Sequence, residues 1–274
     1  MPELRRRRIL ITGAAGGIGR TLRAGLQGRY AALRLTDIQP LGEAGDGEEL
    51  IAMDLGDLAA VERAARDVDA IVHLGGNSLE AEWDDICANN IGGTYNLYEA
   101  ARRAGVKRVV FASSNHVVGF HRRERPVGPD SPLRPDTRYG VSKVFGEAIA
   151  RLYADKHGLA SVCLRIGQFR PKPTNLRMLS LWISPRDMVQ LVVRSLEAPD
   201  LHFEIVYGIS ANRRGWYDNP GAVRIGYRPV DNAEDYAAEV EAAAAGQPEP
   251  PIEGSFQGGP FCSQEFEGDA GRIE

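Results

Sequence analysis

The most constraining feature of the chain is a glycine-rich segment that directly follows a short apolar run near its start. Ile9–Ile11 is apolar, and the next eight residues, Thr12–Gly19, include four glycines. Gly13 permits a tight turn, Gly16 lets the backbone approach a ligand, and Gly19 lets a helix pack closely on a strand. The segment therefore predicts a buried strand, a tight turn and the N-terminus of a helix.

An acidic residue stands where this unit would need it to bind a dinucleotide. Asp37 lies 18 residues beyond Gly19 and follows a second apolar run, Ala32–Thr36. The free N–H groups and the dipole of a helix N-terminus favour a pyrophosphate. The Asp37 carboxylate can accept both ribose hydroxyls, whereas a 2′-phosphate would meet a like charge. These residues predict an NAD site and a redox enzyme; a purely structural glycine-rich turn is the weaker alternative.

Strand and helix patterns alternate as far as Ile166, and this alternation predicts the fold class. Such an order is typical of parallel strands joined by right-handed helical crossovers. We expect an α/β, Rossmann-like doubly wound parallel sheet with a small C-terminal substrate region. The predicted strands are Arg8–Thr12, Ala32–Thr36, Leu50–Met53, Ala70–Leu74, Val106–Ala112 and Ala160–Arg165, and the predicted helices are Ile18–Leu26, Asp57–Arg66, Asp84–Ala104 and Arg138–His157.

The pattern loosens after Gly167, which suggests a change of role along the chain. We expect residues 1–166 to bind NAD and residues 167–245 to form a small substrate-binding region, with a helix that begins at Ser184-Pro185. Residues 246–274 are rich in Pro, Gly and Glu and lack core periodicity, so a flexible tail is predicted. Because this tail carries Phe256 and Phe261, docking on a neighbouring subunit is the alternative.

Composition excludes several classes of partner. A net charge of −4 gives no general attraction to nucleic acid or to an anionic membrane, and no apolar stretch reaches the roughly 18 residues that a membrane span needs. The basic run Arg5–Arg8 is interpreted as a solvated lead-in to the first strand rather than a targeting signal. Cys87, Cys163 and Cys262 are widely spaced, which predicts no disulfide, no metal site and a cytoplasmic location.

Tyr139 and Lys143 are candidate catalytic residues because they lie four residues apart in a predicted helix and share one face. A lysine beside a tyrosine stabilises the phenolate, so a depressed tyrosine pKa and a general-base role are expected. Ser114 lies 25 residues earlier, at a strand end where α/β sheets place ligands, and can bond the same substrate oxygen. A separate apolar stripe is predicted to face the core: Val141, Val144, Phe145, Ala148, Ile149 and Leu152.

Taken in this order, these motifs resemble the extended short-chain dehydrogenases, the NAD-dependent epimerase/dehydratase group, over roughly residues 8–240. A narrower set resembles the uronate dehydrogenases. Its segments are His73–Ser78, Asn90–Ala101, Phe111–His116, Tyr139–Lys143, Arg165–Gly167, Arg177–Trp182 and Gly215–Asn219. The resemblance implies an NAD-dependent oxidation of the C1 hydroxyl of galacturonate or glucuronate to an aldarolactone, and a homo-oligomer.

The resemblance also implies roles for residues that spacing alone does not identify. Arg177 would hold the substrate carboxylate with its planar guanidinium. Asn90 would belong to a water-mediated proton path, or else would make a structural hydrogen bond. The implied cofactor-binding residues are Gly13, Gly16, Gly17, Ile18, Gly19, Asp37, Asp54, Leu55, Leu74, Gly75, Gly76, Asn90, Tyr139 and Lys143, and the implied substrate-binding residues are Ser78, Ser114, Asn115, His116, Tyr139, Gln168 and Arg177.

One position departs from the family pattern. Gln168 stands where the uronate dehydrogenases have a serine that bonds substrate, and Phe169-Arg170 after it also differ. A longer amide can still bond a sugar hydroxyl, but it can also reduce the pocket or shift its preference. The departure bears on the particular substrate rather than on the reaction type.

Two other functions remain as alternatives. The first is a nucleotide-sugar epimerase or dehydratase, or another small-sugar dehydrogenase, on the same fold. Only about 80 residues, Gly167–Gly246, precede the tail, which is short for holding a nucleotide diphosphate and favours a small free substrate. The second is a non-catalytic NAD sensor, which would not need Ser114, Tyr139 and Lys143.

Overall fold

The computed structural model describes residues 6–273 and confirms the α/β prediction. Seven parallel strands form one sheet in the order β3-β2-β1-β4-β5-β6-β9. They are β1 (Arg8–Thr12), β2 (Ala32–Asp37), β3 (Glu48–Ala52), β4 (Ala70–His73), β5 (Arg108–Ser114), β6 (Ala160–Ile166) and β9 (Phe203–Gly208). Two short strands, β7 (Gln168–Phe169) and β8 (Trp182–Ile183), pair separately. Of the basic run at Arg5–Arg8, Arg5 lies outside the described residues.

Helices cover both faces of the sheet. The longer ones are α1 (Gly17–Leu26), α2 (Leu58–Ala65), α4 (Gly93–Ala104), α5 (Arg138–His157), α7 (Pro185–Glu197) and α9 (Ala237–Ala244). The shorter ones are α3 (Trp83–Asp85), α6 (Met178–Leu181), α8 (Pro220–Ile225), α10 (Pro251–Ser255) and α11 (Pro260–Ser263). One apolar core lies beneath α1 and α7, and a second lies beneath α2, α4 and α5. None of the helices in residues 6–273 combines the length and the apolar character that a membrane-spanning helix needs.

The sheet has a topological switch beside β1, because the chain passes from β3, at one edge, back across to β4. Clefts at the carboxyl ends of the strands open at such points. The glycine-rich segment follows β1, and Ser114 ends β5, so both lie at this edge of the sheet. The helix-start prediction at Ser184 is confirmed, since its side chain accepts a hydrogen bond from the backbone of Asp187 at 3.0 Å.

The long helix predicted for Asp84–Ala104 is interrupted. α3 passes into a π-helix at Ile86–Gly92 before α4 begins at Gly93. Single π turns insert an extra residue into the helical ladder and often occur at functional sites. Periodicity could not reveal the interruption, because the segment stays helical on both sides.

The predicted core stripe of α5 is wrong at three positions, because Val141, Ala148 and Leu152 are exposed. Val141 is 44% exposed and Leu152 is 51% exposed, whereas Tyr139 and Lys143 are buried. The helix is turned this way because Gly146 lies against β5: a Cβ at Gly146 would stand 2.1 Å from Cζ of Phe111. Close contact at a small residue therefore outweighed the larger apolar side chains in setting the buried face.

The prediction of a flexible tail is also wrong. Phe256 and Gln257 are fully buried, and Phe256 pairs with Arg122 in an antiparallel bridge. The backbone N–H of Gln257 donates to His121 O at 2.9 Å, and that of Gly258 donates to Gly119 O at 2.8 Å. The segment after residue 245 thus packs on its own chain, on the loop that follows β5, and these contacts do not require a neighbouring subunit.

We predict that Gly146→Ala lowers the free energy of unfolding by about 1–3 kcal/mol, because the added methyl group overpacks the contact with Phe111. Alanine has the higher helix propensity, so propensity alone predicts the opposite sign. Denaturant unfolding of the purified variant measures the change. Gly254→Ala is the control, since its added Cβ would meet only ordinary contacts at 3.5 Å or more. Equal stability of the two variants would contradict the packing argument.

Candidate active site

A cleft of about 1150 Å³ opens at the carboxyl edge of the sheet. It extends from Asp37 past the glycine-rich segment to Tyr139 and Arg177. The volume slightly exceeds the usual range for small-molecule sites, which suits an extended cofactor together with a small substrate. All the predicted site residues line this cleft except Asn90.

The glycine-rich turn has the shape that a bound phosphate group requires. Gly13 has a positive φ of 69°, and a Cβ there would stand 2.8 Å from the backbone N of Gly75. A Cβ at Gly19 would stand 2.4 Å from Gly13 O, so this residue allows α1 to pack on the turn. A Cβ at Gly17 would meet only the Phe169 ring, at 3.8 Å. The backbone is therefore crowded on its inner side and open on the cleft side.

Asp37 is held in place at the far end of the cleft. Its Oδ2 accepts from the backbone N–H of Ala15 at 2.9 Å, and its Oδ1 accepts from that of Gln39 at 2.9 Å. Each carboxylate oxygen keeps a second lone pair for a ribose hydroxyl. This arrangement and the open glycine turn fit NAD, with the pyrophosphate at the N-terminus of α1 and the adenosine ribose on Asp37.

His73 is a structural residue beneath the cleft. It is fully buried, and a hydrogen bond of 2.7 Å joins its Nδ1 to Thr12 Oγ1, which also accepts from the backbone N–H of Gly75 at 3.2 Å. Its Nε2 lies 3.3 Å from Thr94 Oγ1. Burial lowers the pKa of His73 to about 3, so the imidazole is neutral at ordinary pH. The contacts tie together the ends of β1 and β4, which carry Gly13 and Gly75.

Asn90 lies in the π-helix and its amide is fully engaged. Its Oδ1 accepts from the backbone N–H of Asn77 at 2.7 Å, and its Nδ2 donates to Asn77 O at 3.1 Å and to Ser142 Oγ at 3.0 Å. Of the two roles expected for Asn90, these contacts support the structural one. They fasten the loop after β4, which carries Ser78, to helix α5.

The catalytic candidates Ser114, Tyr139 and Lys143 meet at the centre of the cleft. The ammonium nitrogen of Lys143 lies 5.5 Å from the centroid of the Tyr139 ring. Burial raises the pKa of Tyr139 to about 12, although the hydrogen bond with Ser114 lowers it, and burial lowers the pKa of Lys143 to about 8. The expected depression of the tyrosine pKa is therefore wrong for the chain by itself, because desolvation outweighs the hydrogen bond.

Arg177 is a buried cation whose protein partners are neutral acceptors. Its Nε donates to the carbonyl oxygen of Gln257 at 2.7 Å. In the amide orientation that satisfies both groups, Asn115 Oδ1 accepts from Arg177 Nη2 at 2.8 Å and Asn115 Nδ2 donates to Ile166 O. Burial lowers the pKa of Arg177, and none of the ion pairs found among residues 6–273 includes it. Its guanidinium is thus fixed without a direct ion pair to a carboxylate of the described residues.

His116 forms a pair with an acidic residue that the sequence reasoning missed. Its Nδ1–H donates to Asp136 Oδ2 at 2.6 Å, and the Asp136 side chain is fully buried. The Phe261 ring stacks on the imidazole with centroids 4.0 Å apart. Asp136 could have been noticed because it directly precedes Thr137, the N-cap of α5. No periodic signal marks Phe261, since its role depends on how the C-terminal segment folds back.

Ser78 and Gln168 both line the cleft. Gln168 lies in β7 beside Trp182, and its Oε1 is buried with no hydrogen-bond partner among the described residues. Trp182 itself is a core residue whose indole N–H donates to Arg170 O at 2.8 Å. The longer side chain of Gln168 therefore fits the cleft wall without closing the cleft.

Comparison with known proteins agrees with this geometry. The NAD dependent epimerase/dehydratase family matches residues 9–185. A uronate dehydrogenase of Pseudomonas putida is 48% identical over 93% of this chain and 95% of its own. A crystal structure of uronate dehydrogenase from Agrobacterium tumefaciens matches with a TM-score of 0.89 at 46% identity, covering 94% of this chain and 97% of its own, and a tyrosine-to-alanine variant was solved in complex with NAD. Glucuronic acid dehydrogenase from Chromohalobacter salexigens matches at 44% identity, over 93% of this chain and 96% of its own, with a TM-score of 0.90.

The fold and the site define an NAD-binding α/β oxidoreductase scaffold with a Tyr-Lys-Ser centre. The chain belongs to the NAD-dependent epimerase/dehydratase family. Within that family its likeness to a uronate dehydrogenase extends over 93% of the chain, whereas the family match ends at residue 185.

We predict that stability falls as the pH drops below about 6.5. The unfolded chain takes up a proton at His73 below that value, whereas the folded chain does not until about pH 3. The free energy of unfolding therefore falls by about 1.4 kcal/mol for each unit by which the pH drops. The lowered pKa of His116 acts in the same direction.

The measurement is the slope of the free energy of unfolding against pH between pH 5 and pH 6.5. Slopes can be compared between the wild type and its variants even when their absolute stabilities differ. His73→Gln should flatten the slope, and the exposed control His157→Gln should leave it as in the wild type. An unchanged slope in His73→Gln would contradict the assignment of a neutral, buried imidazole.

Proposed function

We infer that this chain is a uronate dehydrogenase, which oxidises the C1 hydroxyl of a uronic acid to an aldarolactone with NAD. The observation that carries this inference is Arg177. A buried guanidinium with neutral protein partners, in the same cleft as Tyr139, calls for an anionic substrate, because an uncompensated buried charge is costly. The planar fork suits a carboxylate, and galacturonate and glucuronate both carry one.

The proton chemistry belongs to three side chains. A bound NAD would supply the acceptor for the hydride that leaves C1 of the sugar. We propose that Tyr139 removes the proton of the C1 hydroxyl and that Ser114 hydrogen-bonds the same oxygen. Lys143 is held near Tyr139, and its ammonium favours the phenolate over the neutral phenol. Since the pKa of Tyr139 is raised to about 12 in the chain by itself, chiefly by burial, we propose that the bound cofactor offsets that cost.

Recognition of the sugar is proposed for the other side chains at this end of the cleft. His116 donates its Nδ1–H to Asp136, so the neutral ring presents Nε2 as an acceptor for a hydroxyl. Ser78 and Gln168 would bond further hydroxyls, since both line the cleft. Asn115 acts chiefly by orienting Arg177.

The assignment of regions follows the same proposal. Residues 1–166 hold NAD, and residues 167–245 supply Gln168 and Arg177, although their strand β9 belongs to the main sheet. The segment after residue 245 completes the wall at Phe261. A homo-oligomer and a cytoplasmic location remain part of the proposal, the latter because Cys87, Cys163 and Cys262 are free thiols.

We predict NADH formation, followed at 340 nm, with galacturonate and with glucuronate, and little or none with galactose and glucose. The acids and their parent sugars differ only at C6, so the difference reports the contribution of Arg177. Turnover of the neutral sugars at the same rate would contradict a carboxylate site. Turnover of a UDP-sugar without net reduction of NAD would favour the epimerase alternative.

We predict that one of two variants changes kcat and that the other changes the KM for uronate. Tyr139→Phe removes the base, and kcat should fall about 10²–10⁴-fold, with the KM for uronate little changed. Arg177→Ala removes a charge-assisted contact to the carboxylate, and the uronate KM should rise about 10- to 100-fold. NAD affinity, measured by calorimetry, should be retained in both. An unchanged uronate KM in Arg177→Ala would contradict the carboxylate assignment.

A further inference from the structure

Arg123 fastens the C-terminal segment from outside the cleft. Its guanidinium makes four hydrogen bonds to that segment: Nε to Phe256 O at 3.2 Å, Nη2 to Glu253 O at 2.7 Å, and Nη1 and Nη2 to the two carboxylate oxygens of Glu249 at 2.7 and 3.1 Å. Its backbone N–H adds a fifth bond, to Ser255 O at 3.1 Å. One side chain thus contacts three separate points of the segment.

The fastened segment in turn holds Arg177. Gln257 directly follows Phe256, and its carbonyl oxygen is the acceptor for Arg177 Nε at 2.7 Å. The next turn touches the same side chain, because a Cβ at Gly259 would lie 2.6 Å from Arg177 Cδ. The side-chain amide of Gln257 is fixed by Arg122 O and Arg125 O, at 3.2 and 3.0 Å. The position of Arg177 therefore depends on where this segment lies.

The charges near Arg177 explain why Arg123 acts on it through the C-terminal segment and not by direct contact. A carboxylate beside Arg177 would neutralise the cation that the substrate needs, so a backbone carbonyl is the better anchor. The carboxylate of Glu249 pairs with Arg123 instead, and Arg123 is only 16% exposed and stacks over Trp216 with 5.4 Å to the ring centroid. The Arg123 charge is thereby balanced, while Arg177 stays available for an anion.

We propose that Arg123 is a positioning residue for substrate binding: by holding residues 249–257 against the loop after β5, it sets the Gln257 carbonyl that orients Arg177. This inference rests on the proposed function, since it assigns the carboxylate site to Arg177. It goes beyond that function by giving a residue outside the catalytic centre a specific effect on uronate affinity.

The test is steady-state kinetics with galacturonate on Arg123→Gln, Arg123→Lys and Glu249→Gln. The uronate KM should rise about 10-fold in Arg123→Gln, because several charge-assisted bonds are lost. It should rise less in Arg123→Lys, which keeps the charge without the fork, and about 2- to 3-fold in Glu249→Gln, which keeps the carbonyl bonds. In all three, kcat and the KM for NAD should stay within about 2-fold, since the catalytic residues are not touched.

Arg214→Gln is the matched control. Arg214 also pairs with two glutamates, Glu234 and Glu241, but none of these three residues lines the cleft. A merely structural role for Arg123 would lower the melting temperature and the specific activity together and leave the uronate KM equal to that of Arg214→Gln. That result overturns the proposal. If Arg123→Gln does not fold, an unchanged uronate KM in both Arg123→Lys and Glu249→Gln overturns it equally.

Hydrogen–deuterium exchange separates this inference from the proposed function. Amides of residues 254–262 should exchange faster in Arg123→Gln than in Arg214→Gln, whatever the substrate proves to be. Equal exchange in the two variants overturns the fastening role. If the wild-type enzyme turns over no uronate while the exchange difference is present, the fastening stands and the proposed function fails.

Discussion

The close contact between helix α5 and strand β5 is the constraint on which the active site depends. Gly146 lies on the ring of Phe111, and only a glycine fits there. This contact turns the helix so that Tyr139 and Lys143 face the end of β5, where Ser114 lies, and leaves Val141 and Leu152 toward solvent. A larger residue at 146 would push the helix away and separate the base from the serine.

A second constraint is the need to bury a cation without neutralising it. Arg177 donates to a carbonyl oxygen and an amide oxygen, and these two acceptors hold the guanidinium while adding no negative charge. The acidic residues nearby are paired with other groups: Asp136 with His116, and Glu249 with Arg123. Among the described residues no carboxylate bonds Arg177 directly, so its guanidinium remains available for the carboxylate of an anionic sugar.

Much of the fold and part of the site could be predicted from local patterns. The strands that alternate with helices, the glycine turn and Asp37 carry their own signals, because each follows from backbone geometry or charge within a few residues. α5 begins and ends as predicted, at Arg138 and His157, since Thr137 caps it and Gly158 ends it. The buried face of that helix was partly mispredicted, because hydrophobicity does not record how closely a glycine lets two elements approach.

The sequence by itself determined the class of protein: a dinucleotide-binding α/β sheet with a Tyr-x-x-x-Lys helix and a serine at a strand end. It did so because these features are local and each residue type has its own chemistry. Only the tertiary structure decided what the C-terminal segment does, how Asp136 pairs with His116, and that burial raises the pKa of Tyr139 more than the hydrogen bond with Ser114 lowers it. Those outcomes depend on burial and on contacts between residues from 20 positions apart, as in the pair of His116 and Asp136, to more than a hundred, as in that of Arg123 and Glu249, and no local pattern encodes them.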